Sequence, residues 1–477
     1  MRLQLGTLAL ALTLATAVAA EPPLDGILDN GFGNGGAAKA SFNLSTGFAD
    51  RTEGLAVSTT GRIYLAATVG VDVQGTTRAR FGLARFLANG QLDSAFSTDG
   101  LATPVPAALT AQSLWANGVI VRADGKPIVY GYRLAGGGAS PRMLFCQYAV
   151  AGNLDPGYDG DGCAEPSLAL IDNGLEVPNT ALGLPDERVL VGGRAGVNPL
   201  NPDHQDGMVL MLGANGQIDA SFGASGHVLL RPPGSTYTEV TKLLREADGR
   251  YIIVGFSDHD VFSARMFTAR LSANGQLDTG YGINGYATVD FDDLYTLPQA
   301  LELVRAAGID SQGRVYLCGQ VNYGNNLNQS VMAFARLTTS GALDPGFSGD
   351  GRVLRPFIDV LPSSNVRDCA LDAEERLVAA VQTGTAQPLV SEFGALRLLP
   401  DGSEDPRFAT LGQTRVALDI GGAGVGHDSP AALAVVGDAI IIAGTSFPTN
   451  GSTVNGEAHT MIRLASDRTF ANGFESD

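Results

Sequence analysis

The residues in this chain with types suited to chemistry are five histidines and a few acidic turns. His259 lies between Asp258 and Asp260, directly after Ser257. His427 precedes Asp428 and follows a glycine-rich stretch at 421–426. His204 sits in a polar insertion, His459 lies two residues after Glu457, and His227 stands apart. A histidine oriented by a carboxylate beside a hydroxyl can drive nucleophilic hydrolysis, provided that the three groups converge in space. The chain has no G-x-S-x-G elbow to present a serine, and isolated loop histidines are ordinarily solvated bystanders. The stretch 421–426 has neither dinucleotide-binding nor P-loop spacing. Tyr158-Asp159-Gly160-Asp161-Gly162 opens like a calcium loop, which makes Asp159 and Asp161 weak metal candidates. It lacks the later acidic ligands that such a loop needs, so no metal or other cofactor is expected.

What would position these residues is a repeat. Asp29, Asp93, Asp155, Asp219, Asp278, Asp344 and Asp405 recur about every sixty residues. Each is followed three residues later by an aromatic: Phe32, Phe96, Tyr158, Phe222, Tyr281, Phe347 and Phe408. Four residues beyond each aromatic stands a glycine, from Gly36 to Gly412. Asp467 and Phe470 repeat the pair once more. A second landmark keeps step with the first. Half-way through each unit a tight turn, such as Gly61-Arg62, Gly125-Lys126 or Gly313-Arg314, precedes a β-rich run such as Ile63-Tyr64-Leu65. Apolar and β-branched runs broken by Gly, Asp, Asn and Pro read as four short strands per unit. In the first unit they are expected near residues 39–44, 54–58, 62–69 and 80–87. No helical period is sustained beyond the N-terminal segment. The expected fold is all-β: a seven-bladed β-propeller of about 60-residue four-stranded repeats. The units run 29–92, 93–154, 155–218, 219–277, 278–343, 344–404 and 405–467, within one domain at 21–467.

The repeated residues read as structural. An Asp beside Gly or Pro caps its turn by accepting backbone N–H groups, and the aromatic three residues on wedges the core. Arg85, Arg270, Arg336, Arg397 and Arg463 share one phase of an apolar strand, where Gln147 and Met211 stand in the other two units. A buried guanidinium needs a partner. The expected partner is a turn or a neighbouring blade; a cationic ring lining the channel is the functional alternative.

Length, charge and ends set the context. The chain has 477 residues and a formal net charge of −18, spread along its length. That disfavours nucleic acid and anionic membranes as partners. Arg2, an apolar run at 3–18 and the small residues Ala17-Val18-Ala19-Ala20 have the order of a signal peptide cleaved near Ala20. No later apolar stretch is long enough to span a bilayer. The expected mature protein is secreted, periplasmic or extracellular, and monomeric. Residues 468–477 form a C-terminal tail. Four cysteines suit two disulfides in an exported chain. Cys146 and Cys163 flank one motif, whereas Cys318 and Cys369 lie in adjacent units.

The half-unit turn followed by Phe81-Gly82-Leu83-Ala84-Arg85-Phe86-Leu87-Ala88-Asn89-Gly90-Gln91-Leu92-Asp93-Ser94-Ala95-Phe96 resembles the bacterial delta-60 repeat family. That resemblance covers nearly all of the mature chain. It implies a β-propeller and export, and supplies no reaction. Function in propellers ordinarily sits on loops, so the unit-specific insertions 135–141, 198–207, 258–264 and 323–329 are the expected binding rim. Asn325, Asn326, Asn328, His204, His259 and His427 are its candidate contacts, for a protein or carbohydrate ligand. The resulting expectation is a binding or surface-interaction module. The alternatives are a hydrolase or lyase with its site in the mouth of the central channel, and a structural envelope or matrix component.

Overall fold

The computed structural model describes residues 25–45, 50–134, 140–170, 174–197, 204–260, 263–294, 300–323, 329–357, 364–386, 389–418, 427–447 and 457–465. The signal segment, the C-terminal tail, Asn325, Asn326 and Asn328 lie outside them, as does the side chain of His259. Among the described residues there is no α-helix. Two three-residue 3₁₀ turns, Ala107–Leu109 and Asp292–Leu294, punctuate a chain of strands.

The strands pair antiparallel in sets of four, and the fold is a β-propeller. One set is Arg51–Val57, Ile63–Val73, Thr76–Phe86 and Leu101–Ala102, hydrogen-bonded in that order. Its innermost strand packs against the innermost strand of the next set, Ser113–Val121. The series continues through Glu176–Gly183, Thr238–Arg245, Leu301–Ile309, Asn365–Leu371 and His427–Val436, and the last packs back on Arg51–Val57. The final set is completed from the other end of the chain: Ala37–Ala40 pairs antiparallel with Ala458–Leu464.

That pairing changes the phase read from the sequence. The strand expected near residues 39–44 opens no unit of its own; it is the outer edge of the final set. The Asp-x-x-aromatic motif likewise falls inside a set, between its third and fourth strands, because Asp93 N–H bonds Arg85 C=O and Gly100 N–H bonds Phe96 C=O. A repeat fixes a period, and only strand pairing fixes where each sheet begins.

Apolar side chains from adjacent sets interleave to form the core. Tyr64, Leu83 and Phe96 pack with Leu114, Val129 and Leu144. At the closure, Ile63 and Leu65 pack with Ile441, Ala443 and Met461. The seven motif aromatics are each at most 1% exposed. Each is roofed by a turn glycine of the following set. A Cβ on Gly216, at φ +85°, would come within 2.7 Å of the Tyr158 ring, so contact and backbone conformation both demand glycine there. Disulfides join Cys146 to Cys163 across one strand pair and Cys318 to Cys369 between neighbouring sets.

Because strands alternate in direction, the half-unit turns and the Asp motifs share one end of the sheets. The insertions between second and third strands, and the crossings to the next set, share the other. Phe222 is 1% exposed and packs against Tyr251. Phe222→Ala should lower unfolding free energy by about 3–5 kcal/mol, read from denaturant midpoints. A loss under about 1 kcal/mol would place Phe222 outside the core.

Candidate functional site

The two sequence landmarks meet at the motif Asp. Its Oδ1 accepts the backbone N–H two residues on in every unit, at 2.9–3.1 Å. Its Oδ2 receives the strand arginine: Arg85 on Asp93, Arg270 on Asp278, Arg336 on Asp344, Arg397 on Asp405, and Arg463 on Asp29. The half-unit cations Arg62, Lys126, Arg188, Arg250, Arg314 and Arg376 reach the same carboxylates at 2.8–3.9 Å. Each strand arginine also lies over its own motif aromatic, with the guanidinium carbon 4.6–5.4 Å from the ring centroid. Arg85, Arg270, Arg336 and Arg463 extend further, to a turn carbonyl of the following set: Val150, Thr339, Pro400 and Ala88. Where Gln147 replaces the arginine, Arg122 bonds its amide at 2.6 Å and the Ala214 carbonyl at 2.8 Å. Lys126 is the largest influence holding Asp155 below the usual carboxylate range. These arginines therefore sit in ion pairs at the turn end of the sheets.

The other sequence candidates with described side chains, Asp159, Asp161, His204 and His427, are spread over three sets. Asp161 accepts the Cys163 N–H of its own turn at 3.0 Å, and Asp159 accepts the Gln217 side-chain amide of the next unit. His204 precedes the strand Gln205–Leu212, and His427 opens the inner strand of the final set. A tighter acidic group, Asp290, Asp292 and Glu302, has carboxylate oxygens within 4.8 Å of one another. Arg265 pairs with Asp290 and Asp292 at 2.8 and 3.0 Å, and Glu302 accepts the Phe291 N–H.

What the sequence did not announce is a ring of β-bulges. Every inner strand slips register at the same place, displacing one residue from the ladder: Glu53, Asn117, Asn179, Thr241, Arg305, Arg367 and Ala431. A bulge re-aims its side chain. Around one part of the ring the polar groups satisfy each other. The Asn117 amide bonds the Pro178 carbonyl, and Asn179 bonds Glu239, which also holds Arg194 and Tyr237. One residue further along the strands, Lys242 meets Asp368 at 3.2 Å, tying the fourth set to the sixth. The other oxygen of Asp368 accepts the Leu433 N–H of the seventh.

The opposite part of the ring is left open, and there a cavity of about 500 Å³ lies between Arg51, Thr52, Glu53, Arg305, Arg367 and the strands carrying Pro430 and Thr445. Among the described residues, Arg51, Arg305 and Arg367 have no carboxylate at ion-pair distance. Arg367 bonds the neutral amide of Gln382. Burial pushes Arg305 down from the ordinary arginine range, and burial followed by Arg305 itself does the same to Arg367. Burial also pushes the Glu53 carboxyl up to about 7, against the pull of Arg51 and a bond from Thr68.

Two histidines stand on or beside the strands that wall this cavity: His427 lies opposite Phe447, and His459 bonds Thr52. The Thr52 hydroxyl donates to Gly444 C=O at 2.7 Å, so it accepts from His459 Nδ1 at 3.0 Å. The ring therefore carries its proton on Nδ1, and burial holds its pKa down at about 4. Nε2 faces Asp50 at 3.9 Å. With the Thr52 proton engaged by a carbonyl, this threonine–histidine–aspartate line cannot activate a nucleophile as it stands. It joins first and last sets at the closure. The positions corresponding to His459 in the other sets are Phe81, Met143, Gly207, Met266, Met332 and Phe393.

With this geometry established, comparison with known proteins gives the following. A family model described as "Domain of unknown function (DUF5122) beta-propeller" matches residues 60–96, 246–281 and 313–347. Each match runs from a half-unit turn to a motif aromatic, the stretch held by the paired cations. The chain thus resembles a repeat-propeller family of unknown function. No curated protein matches it. Solved structures similar in chain course include the polysaccharide lyase Uly1, 12% identical with a TM-score of 0.48, covering 94% of this chain and 98% of that one. The propeller domain of the Trilobed protease from Pyrococcus furiosus is 7% identical, with a TM-score of 0.39 and coverages of 89% and 93%. The alpha-L-arabinofuranosidase Arb93A from Fusarium graminearum is 10% identical, with a TM-score of 0.41 and coverages of 90% and 97%.

Two titrations follow. Because the Glu53 pKa is raised on folding, its contribution is complete below about 4.5 and is lost as pH rises through about 7. Glu53→Gln should therefore raise the melting temperature relative to the native chain at pH 8, by an amount equivalent to about 1–3 kcal/mol, and have little effect at pH 4. His459 has the opposite sign: its pKa is depressed, so stability is lost as pH falls from 6.5 through about 4. Thr52→Val with His459→Phe should remove that acid-side loss, measured by thermal unfolding between pH 7 and 4.

Proposed function

We propose that this protein is a secreted binding propeller of seven four-stranded blades that holds a small anionic ligand in the mouth of its central channel. One observation carries the reading: Arg305 and Arg367 project from neighbouring bulges into one cavity, and among the described residues neither has a carboxylate at ion-pair distance. Both side chains keep solvent-accessible surface, like charges side by side at the mouth of a cavity repel each other, and a bound anion would offset that repulsion with charge-assisted hydrogen bonds. The cavity volume falls within the range of small-molecule sites. It opens at the end of the sheets where the unit-specific insertions lie. Two disulfides are consistent with an oxidising, extracytoplasmic location. Among the described residues no helix is long and apolar enough to cross a membrane.

A second reading has its own observation. Glu53 titrates near 7 beside the same arginines, a value suited to general acid–base work. A hydrolase or lyase in the channel mouth would use it on the ligand that the arginines hold.

The test is a thermal-shift and calorimetric screen of the leaderless chain against small organic anions and their neutral counterparts. The expected outcome is a melting temperature raised by anions alone. Arg305→Ala and Arg367→Ala should abolish that rise while leaving the ligand-free protein as stable as the native chain or more so. Retained anion binding in both variants would overturn the binding site. Turnover of a bound ligand that vanishes in Glu53→Gln would favour the enzyme.

A further inference from the structure

Resting on that reading of the channel mouth, we infer that its ligand is a polyhydroxylated carboxylate, an acidic sugar of the uronic-acid class, with its carboxylate on Arg305 and Arg367 and a ring hydroxyl donating to Glu53. The cavity is two-ended. Arg305 and Arg367 come from adjacent inner strands, the fifth and sixth, whereas Glu53 and Arg51 come from the first. Among the described residues Glu53 has no ion pair within 4 Å with either channel arginine. The cationic end, where Arg367 bonds only the neutral Gln382 amide, can take an anion, and Glu53, which accepts from Thr68, keeps further acceptor capacity on its carboxylate.

Charge balance narrows the class. Three guanidinium groups against one carboxylate leave the cavity positive. A zwitterion such as an amino acid would bring an ammonium group to Glu53, where Arg51 already supplies a cation. Hydroxyl groups donate to the same carboxylate without that repulsion. Size narrows it further, because acetate or phosphate would satisfy the arginines and leave most of about 500 Å³ unfilled. The wall between the two ends, supplied by the seventh set, is suited to a sugar ring. Pro430, Ala431 and the half-buried ring of Phe447 give apolar surface, while Ser429 and Thr445 add hydroxyls along the same strands. Ala431 is the smallest of the seven bulge residues, and the space beside it is where a ring would enter. An apolar face with convergent polar groups matches the amphipathic faces of a pyranose.

Isothermal titration of the leaderless chain at pH 8 should compare galacturonate and glucuronate with galactose and glucose, with acetate and phosphate, and with glutamate. The expected result is uronates bound at least about tenfold tighter than the neutral sugars and than acetate or phosphate. Arg305→Ala should remove the preference for uronate over neutral sugar. Glu53→Gln should reduce the preference for uronate over acetate while acetate binding itself persists. Phe447→Ala should weaken uronates and leave acetate unchanged. Uronate and acetate bound equally, or glutamate bound tighter than uronate, would overturn the ligand class and leave the anion site standing. If acetate, phosphate and uronates all fail to bind, the anion site itself is wrong and this inference falls with it.

Discussion

The structure depends on one carboxylate held from three sides. In five of the seven units the motif Asp binds its own turn, a cation arriving from the half-unit hairpin, and the strand Arg or Gln. Asp219 lacks the strand partner, because Met211 stands there, and Asp29 lacks the half-unit cation, because Asp438-Ala439 carries no basic residue. Such a pair, nearly closed to water, is worth little if one partner is lost and the other stays charged. The cations and the Asp are therefore mutually dependent, and they recur together. The guanidinium also lies on the aromatic that fills the core and, in four units, bonds a carbonyl of the next set. One residue thus links turn, core and neighbour. The family model matches this segment, from half-unit turn to motif aromatic, in three of the units.

That linkage explains what was legible in the sequence. Asp, Arg and the aromatic must be of fixed type and fixed spacing, because each has one partner at one distance. They surface as a period, and the period implies the all-β ring. Phase was not legible: the strand at Ala37–Ala40 pairs with Ala458–Leu464, and nothing local to either segment says so. The bulge ring was invisible for a different reason. Its geometry repeats, but its side chains run Glu, Asn, Asn, Thr, Arg, Arg and Ala, so no residue pattern marks it. His459 was legible only as a lone histidine after Glu457. Its partners, Thr52 and Asp50, lie some four hundred residues away in the chain. The loop residues Asn325, Asn326 and Asn328 stood out by composition alone, which says nothing of convergence.

The two ends of the sheets thus follow different rules. At the turn end, nearly every charge has a counter-charge, and identity is repeated from unit to unit. At the bulges, identity varies, and among the described residues the arginines on one side have no carboxylate at ion-pair distance. A fold under selection for stability alone would have little reason to keep Arg305 beside Arg367. The scaffold is thereby free to diversify at seven equivalent positions without disturbing the carboxylate pins some distance along the same strands.

The closure by Ala37–Ala40 imposes an order of events on biogenesis. Ala37–Ala40 cannot find its place until the much later Ala458–Leu464, its partner strand, has emerged. Until then its edge is left without that partner. Such edges are prone to pair with other chains, and long sequence separation makes their joining slow. Thr52, His459 and Thr445 lie at this junction and become dry only when it shuts, so the latch is assembled by the same step that ends that vulnerability.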